Sequence, residues 1–258
     1  MKLKIGPAGT GGDSYKGIQR IAEIGLDAVE IEFVRGVKMK NELAKKIGEL
    51  NRRLKLTISV HAPYYINLDS DDPAKIAASK VRILDSCERG HHMGAKYIIF
   101  HAAFYGKSSP KECYAAVKEA MIEMQKKIKQ KKWKVVLCPE TTGKASQFGS
   151  VDELVKLAKE TGCGICVDFS HVYARNVGKI DYDDVMKKIK PVKHKTAHFS
   201  GINFTAKGER NHELTPPARI KELYKYLKKY NISLTIINES PDPMGDALKM
   251  KKLLKEFA

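Results

Sequence analysis

Several short apolar segments end in, or carry near their end, a residue that can bind a metal ion: His61, His101, Glu140, Asp168, His198 and Glu239. A further candidate, His171, follows Asp168 by three positions in a D-x-x-H pattern. Gathering such groups in a protein interior costs several kcal/mol for each uncompensated charge. Divalent cations are the simplest compensation, and mixed imidazole and carboxylate ligands suit zinc, manganese or iron. The sequence therefore predicts a site for two or more metal ions.

The segment "GCGICVDFSH" also contains a C-x-x-C pattern, formed by Cys163 and Cys166. Such a pair could be a redox site or half of a zinc site. However, side chains three positions apart on a strand leave opposite faces, so the two thiols cannot readily share an ion or a disulfide. We expect Cys166 to pack inward beneath Asp168 and Cys163 to lie at the entry to the strand.

The elements that position these residues alternate along the chain as strand-like runs and longer amphipathic segments. The predicted strands are KLKIG, AVEIEF, LTISVH, YIIFH, VVLCPE, GICVDF, TAHFSG and LTIINE. Eight strands alternating with eight helices, without a linker, predict a single (β/α)8 TIM barrel over residues 1–258. A doubly wound open sheet is the alternative, but no G-x-G-x-x-G motif follows the first strand. In a barrel the candidate ligands would gather at the C-terminal ends of the strands, where active sites lie.

The composition narrows the classes of partner and compartment. The net charge of +17 suggests a polyanionic partner such as nucleic acid, although excess lysine can simply keep a face solvated. No apolar run approaches the roughly 20 residues of a membrane span, and the N-terminus lacks the apolar stretch of a signal peptide. Five scattered cysteines do not indicate a disulfide framework. We expect a soluble, cytoplasmic monomer that does not bind a membrane.

Seven motifs in order along the chain resemble the endonuclease IV family of apurinic/apyrimidinic endonucleases, within the xylose-isomerase-like barrels. They are HAPYYINL at His61, FHAAFYG at His101, CPETTG at Glu140, CVDFSHVYA at Asp168 and His171, AHFSG at His198, GERNH at Glu209 to His212, and INESP at Glu239. The resemblance implies that three zinc ions are bound. It also implies hydrolysis of duplex DNA on the 5′ side of an abasic site, leaving 3′-hydroxyl and 5′-deoxyribose phosphate ends.

Carried over position by position, the resemblance implies a set of ligands for each ion. The first ion would be held by His61, His101 and Glu140. The second would be held by Glu140, Asp168, His198 and Glu239. As the bridging carboxylate, Glu140 would also orient the attacking hydroxide, which makes it the expected catalytic residue.

The third ion would use His171 and a pair of residues from the loop after the seventh strand. There the D-x-H of the family reads "ERNH", so Asn211 stands at the place of the histidine in a gapless alignment. Because an amide is a poor zinc ligand, we expect Glu209 and His212 to complete this site instead.

The resemblance further implies where DNA would bind. Tyr64 and Tyr65 follow His61 at the place where the family inserts a wedge, and such wedges unstack a base step at a lesion. Arg35 and Lys38 would contact phosphates from the loop after the second strand. The basic residues expected on the loops of this rim are Arg35, Lys38, Lys107, Lys144, Arg175, Lys207 and Arg210.

Two alternative functions fit the same pattern of residues. One is a divalent-metal sugar isomerase or epimerase on the same fold, for which Glu30 and Glu32 on one face of "AVEIEF" would suit a polar substrate. The other is a degenerate DNA-binding relative that lacks the third metal. The D-x-x-H motif and the Glu209 and His212 pair favour the nuclease, because a two-metal isomerase would not need them.

Overall fold

The structure of this protein is a computed structural model that describes residues 1–257. The strands are β1 (Leu3–Pro7), β2 (Ala28–Glu32), β3 (Thr57–His61), β4 (Tyr97–Phe100), β5 (Val136–Pro139), β6 (Ile165–Asp168), β7 (Lys195–His198), β8 (Gly201–Thr205), β9 (Gly208–Glu213) and β10 (Leu234–Asn238). The helices are α1 (Ser14–Glu23), α2 (Asn41–Leu54), α3 (Pro73–Met93), α4 (Pro110–Gln130), α5 (Val151–Thr161), α6 (Phe169–Arg175), α7 (Tyr182–Ile189), α8 (Pro217–Tyr230) and α9 (Pro243–Glu256).

Parallel strands form a closed barrel around the centre of the molecule. Strands β2, β3, β4 and β5 pair in that order, and β6, β7, β10 and β1 pair in that order. Isolated parallel bridges from Ala8 to Glu30 and from Glu140 to Cys166 join the two sheets at both seams. The predicted (β/α)8 barrel is therefore confirmed, and the C-terminal ends of its strands meet at one rim.

The prediction of eight strands and eight helices was incomplete in two places, because β6 is followed by two helices, α6 and α7, and the segment after the seventh barrel strand is more than a loop. Instead of a loop, residues 201–213 form an antiparallel hairpin of β8 and β9 that stands outside the barrel sheets. The hairpin tip docks against the turn after β5, where the N–H of Glu209 donates to the carbonyl oxygen of Gly143 at 3.0 Å. A Cβ atom on Gly143 would lie 2.5 Å from the Cβ of Glu209, so this approach requires glycine.

Apolar side chains pack on both faces of the barrel strands. Inside the barrel, Tyr97, Ile99, Cys138 and Cys166 form a small buried cluster below the rim. Outside it, a much larger cluster fills the space between strands and helices and includes Cys163. The two cysteines thus face opposite sides of the sheet, as predicted from their spacing.

The helices begin and end where local sequence signals favour it. Capping boxes start α4 at Ser109 and Glu112 and α5 at Ser150 and Glu153. Helix α3 is capped after Met93 by Gly94, whose φ of 74° is the left-handed conformation that glycine adopts easily. Among residues 1–257, no helix combines the length and apolar character needed to cross a bilayer.

The seam between β1 and β2 depends on Gly6, and replacing this residue should destabilise the barrel. A Cβ atom there would lie 1.9 Å from the carbonyl oxygen of Ala28, so the two strands would have to separate. We expect Gly6→Ala to lower the free energy of unfolding by about 3 kcal/mol in urea denaturation followed by circular dichroism. Gly36→Ala is the matched control, because that position has open space and no positive φ. Equal stability of the two variants would contradict the close approach.

Candidate metal centre

The C-terminal rim brings the predicted metal ligands together around Glu140, which follows β5 and is 1% exposed. Its Oε2 lies 3.1 Å from the Nε2 atoms of both His61 and His101. Its Oε1 lies 3.2 Å from the Nδ1 atoms of both His171 and His198. One carboxylate therefore contacts four imidazoles that come from four different strands or strand ends.

Three overlapping groups of potential ligand atoms each converge within 4.8 Å. The first group consists of His61, His101 and Glu140. The second group consists of Glu140, Asp168, His198 and Glu239. The third group consists of Asp168, His171 and His212. The members of the first two groups coincide with the ligand sets expected from the sequence.

The third group differs in detail from the expected set of His171, Glu209 and His212. Asp168 lies in the convergent group, while Glu209 approaches from the hairpin with its Oε2 at 3.5 Å from the Nε2 of His171. The ring of His212 lies against the ring of His171, with the two ring centroids 5.4 Å apart. Asn211 is exposed and its amide donates to the carbonyl oxygen of His212, so it is not a member of the site.

A β-bulge explains how Glu209 and His212 can both serve one site although three positions separate them. Glu209 pairs with Phe204 and Asn211 pairs with Asn203, so Arg210 is the extra residue of the bulge. A bulge changes the alternation of side chains along a strand. The bulge therefore accommodates the E-x-x-H spacing of Glu209 and His212, which is one residue longer than the D-x-H of the family.

Backbone carbonyl oxygens orient two of the buried histidines, His61 and His171. The Nδ1 of His61 lies 2.8 Å from the carbonyl oxygen of Ala62, and the Nδ1 of His171 lies 3.0 Å from that of Thr141. A carbonyl can only accept, so each Nδ1 carries the hydrogen and each Nε2 presents a lone pair. Those lone pairs face carboxylate oxygens, an arrangement that requires a proton or a cation between them. Acceptors placed behind metal-binding histidines have this orienting effect.

The donor set fits divalent cations with mixed nitrogen and oxygen ligands. Ligand atoms on one tetrahedral zinc ion, at about 2.1 Å from it, lie about 3.4 Å apart. The nitrogens of His61, His101 and His198 lie at similar distances, 3.1–3.3 Å, from carboxylate oxygens at the rim. Oδ2 of Asp168 and Oε1 of Glu32 are buried without a hydrogen-bond partner. Native proteins rarely leave such atoms unpaired. A bound cation would satisfy the Asp168 oxygen.

Without a cation, the histidines themselves balance the carboxylates. Burial alone would lower the pKa of His61, but the hydrogen bond to Glu140 and the charges of Glu32 and Glu140 raise it to about 10. Burial likewise opposes ionisation of Glu140, yet the neighbouring His198 and His101 hold its pKa well below the usual range. Burial raises the pKa of Glu32 to about 8. Such strong mutual perturbation is typical of functional sites.

The predicted DNA-contacting residues lie on the loops around this rim. Tyr64 and Tyr65 are 59% and 64% exposed, and the Tyr64 ring lies 6.0 Å from that of His61. Arg35 and Lys38 line a cavity of about 560 Å³ that Glu32 also borders. Arg210 is exposed on the hairpin.

Arg175, one of the basic residues expected on this rim, makes hydrogen bonds that support the local structure. Arg175 is half-buried, and its Nη1 donates to the hydroxyl of Thr142 and to the carbonyl oxygen of Gln147, both at 3.0 Å. It also donates to the carbonyl oxygen of Lys144. Arg175 therefore fixes the turn after β5. That it also forms part of a DNA-facing surface stays a prediction.

Two supporting contacts at the rim were missed by sequence reasoning. Glu30 is fully buried, accepts from the Ser59 hydroxyl at 2.5 Å, and places Oε1 at 2.9 Å from the Nε2 of His198, without hydrogen-bond angles. Behind His212 lies the hydroxyl of Ser200, at 2.6 Å from its Nδ1. The alternation in "AVEIEF" indicated that Glu30 faces inward, but nothing local indicated its histidine partner.

The known proteins that are similar to this chain have more than one activity. An uncharacterized protein of Methanocaldococcus jannaschii is 35% identical over 257 residues, covering 95% of this chain and 93% of that protein. A probable endonuclease 4 of Mesomycoplasma hyopneumoniae is 29% identical over 182 residues, covering 69% of this chain and 61% of the relative. The chain thus matches about three fifths of the length of that endonuclease.

Solved structures share the fold at low identity. The endonuclease IV from Thermus thermophilus superposes with a TM-score of 0.75 at 18% identity, covering 100% of both chains. A D-tagatose 3-epimerase-like protein superposes with a TM-score of 0.76 at 20% identity, covering 100% of this chain and 97% of the other. The family described as Xylose isomerase-like TIM barrel matches residues 18–256. On that match, which spans nearly the whole barrel, the chain belongs to the xylose isomerase-like TIM barrel family.

Proposed function

We propose that this protein is a metal-dependent DNA repair endonuclease that hydrolyses the phosphodiester 5′ to an abasic site. The observation that carries the proposal is the arrangement of three ligand groups linked through Glu140 and Asp168. A reaction that needs one ion could use the second group alone. A reaction that needs two ions could use the first and second groups. His171 and His212 extend the centre beyond that need, and additional cations there could neutralise charge that develops on a phosphate and its leaving oxygen.

The chemistry divides between the cations and the chain. Zinc ions, or manganese or iron in their place, would lower the pKa of a water to near neutrality and neutralise charge developing on the phosphate. Glu140 lies at the junction of the ligand groups, so its carboxylate would orient the nucleophile. Tyr64 and Tyr65, with exposed rings beside the centre, would unstack the duplex at the lesion. Arg35, Lys38 and Arg210 would hold phosphates on either side.

The direct test uses purified protein loaded with zinc, manganese or iron and an end-labelled duplex that contains one abasic analogue. We expect a single incision on the 5′ side, with a 3′-hydroxyl that a DNA polymerase can extend, and no cut in the undamaged duplex. Because phosphate contacts release counterions, the rate at subsaturating DNA should fall steeply between low and moderate salt. Full metal loading with no incision under any of these ions would refute the proposal.

A second candidate function is a sugar epimerase, and a specific feature favours it. The second group alone could hold one divalent ion, and Glu30 and Glu32 form a further carboxylate cluster with Glu239 beside it. A ketose carries several hydroxyls that such carboxylates could bind. Incubation of the metal-loaded protein with ketoses, followed by chromatography of the sugars, separates the two functions, because an epimerase would interconvert them and leave abasic DNA intact.

A further inference from the structure

The hairpin that carries His212 is tied to the metal centre by two fully buried serines, Ser170 and Ser200. Ser170 is the third residue of the "DFSH" segment at the start of α6, and Ser200 lies between β7 and β8. The Ser170 hydroxyl donates to the carbonyl oxygen of Ser200 at 2.8 Å and accepts from its N–H at 2.9 Å. This pair of hydrogen bonds fixes the base of the hairpin against the segment that carries His171.

The same segment fixes the other two members of the third group. Oδ1 of Asp168 accepts from the N–H groups of Ser170 and His171, at 2.6 and 2.9 Å. Asp168 and His171 therefore have a defined position relative to the backbone of Ser170. Because the Ser170 hydroxyl is hydrogen-bonded to the backbone of Ser200, Asp168 and His171 also have a defined position relative to the base of the hairpin.

The Ser200 hydroxyl also contacts one of the two ring nitrogens of His212. It can donate its single hydrogen to the carbonyl oxygen of Gly201 at 3.0 Å. While it does so, its contact of 2.6 Å with the Nδ1 of His212 is a hydrogen bond donated by His212. The Nε2 of His212 is left with a lone pair, and it lies on the side of Glu239, 4.0 Å from Oε2 of that residue.

We propose that Ser200, held by Ser170, is the positioning residue that makes His212 a ligand of the third group. This inference rests on the metal centre of the proposed function, and it assigns to the two serines a role in completing the centre from the hairpin side. The bulge at Arg210 has a complementary role, because it keeps Glu209 and His212 on the side of His171 despite the E-x-x-H spacing. To bind a metal ion, His212 must therefore lie on the side of the hairpin that faces His171, and its Nε2 must carry the lone pair.

Metal binding tests this inference without any assay of DNA cleavage. The probe is zinc alone, titrated into chelator-treated protein against a competing indicator, with bound metal counted by elemental analysis. We expect three equivalents for the unmodified chain and, in Ser200→Ala, a 10- to 100-fold weaker affinity for one equivalent only, the range typical of lost supporting contacts. Nitrogen NMR of the zinc-loaded proteins should show hydrogen on the Nδ1 of His212 in the unmodified chain and a mixture of tautomers in Ser200→Ala.

Two further variants keep the result interpretable. Ser86→Ala removes another fully buried serine, whose hydroxyl bonds only within α3, so it reports the cost of losing a buried hydroxyl alone. Deletion of Arg210 leaves Glu209 and His212 two positions apart, which is a regular alternation on one face. We therefore expect this deletion to retain three equivalents with affinities within about threefold, whereas loss of one equivalent would overturn the role given to the bulge.

The outcomes separate this inference from the proposed function. Unchanged affinity for every equivalent in Ser200→Ala, an effect equal to that of Ser86→Ala, or only two equivalents in the unmodified chain would overturn the role of Ser200. Three equivalents with the expected loss in Ser200→Ala, but no incision of abasic DNA by the unmodified chain, would refute the nuclease and leave the positioning role intact.

Discussion

Replacing Glu140 with glutamine is expected to lower the rate of incision at an abasic site by about 1000-fold or more, with the barrel still folded. The carboxylate contacts His61, His101, His171 and His198 at 3.1–3.2 Å and belongs to both the first and the second group. Glutamine keeps the shape but removes the charge that would join two cations. Loss of transition-state stabilisation of about 4 kcal/mol corresponds to about 1000-fold in rate.

The measurement is single-turnover cleavage of the labelled abasic duplex, with metal content and circular dichroism recorded on the same samples. Glu153→Gln is the matched control, since Glu153 is a half-buried carboxylate that caps α5 and belongs to none of the ligand groups. This control should lose some stability and retain its cleavage rate. A Glu140→Gln protein that cleaves within tenfold of the unmodified chain would show that Glu140 is not the catalytic carboxylate.

Removing the metal is expected to destabilise the protein, and the loss should grow as the pH rises. In the metal-free centre, protonated imidazoles neutralise the carboxylates, as the pKa of about 10 for His61 indicates. A histidine whose pKa is raised by folding contributes stability that is fully present below its unfolded value, about 6.5, and is lost as the pH rises through about 10. Glu32, with its pKa raised to about 8, acts in the same direction because ionising it in the folded protein is unfavourable.

Thermal unfolding of chelated and metal-loaded samples at pH 6.5 and pH 8.5 checks this linkage. We expect the difference in Tm between the two forms to widen by about 5 °C across this interval, equivalent to about 2 kcal/mol. The metal-loaded sample is the internal reference, because surface lysines titrate identically in both forms. A difference that narrows toward pH 8.5 would contradict the view that imidazolium ions replace cations in the empty centre.

Much of the fold and of the first two ligand groups follows from the sequence alone, for a physical reason. Alternation of apolar strands with amphipathic helices leaves few compact arrangements, and in a parallel barrel every strand ends at the same rim. A histidine or carboxylate at the end of a strand is therefore placed near its counterparts before any contact is known. His61, His101, Glu140 and Asp168 were found in this way, and the alternation of side chains separated Cys166 from Cys163.

The hairpin and the contacts behind the ligands were decided only by the tertiary structure. Whether "ERNH" can present two ligands depends on the register between β8 and β9, which places a bulge at Arg210. The orientation of His212 depends on Ser200, twelve residues earlier, and the packing of Glu30 depends on a partner more than 160 positions away. Arg175 looked like a surface cation until the carbonyl groups around it were known.

Features that depend on interactions between residues close in sequence could be predicted, whereas features that depend on contacts between distant segments could not. Secondary structure and strand-end placement arise from local periodicity and from a topology that repeats along the chain, so the residues themselves determine them. Register, ring orientation and the pairing of buried polar groups are set by hydrogen bonds between segments that meet only in the folded molecule. The sequence by itself therefore determined which residues reach the rim, and the tertiary structure decided which atoms of Glu140, His171 and His212 face one another there.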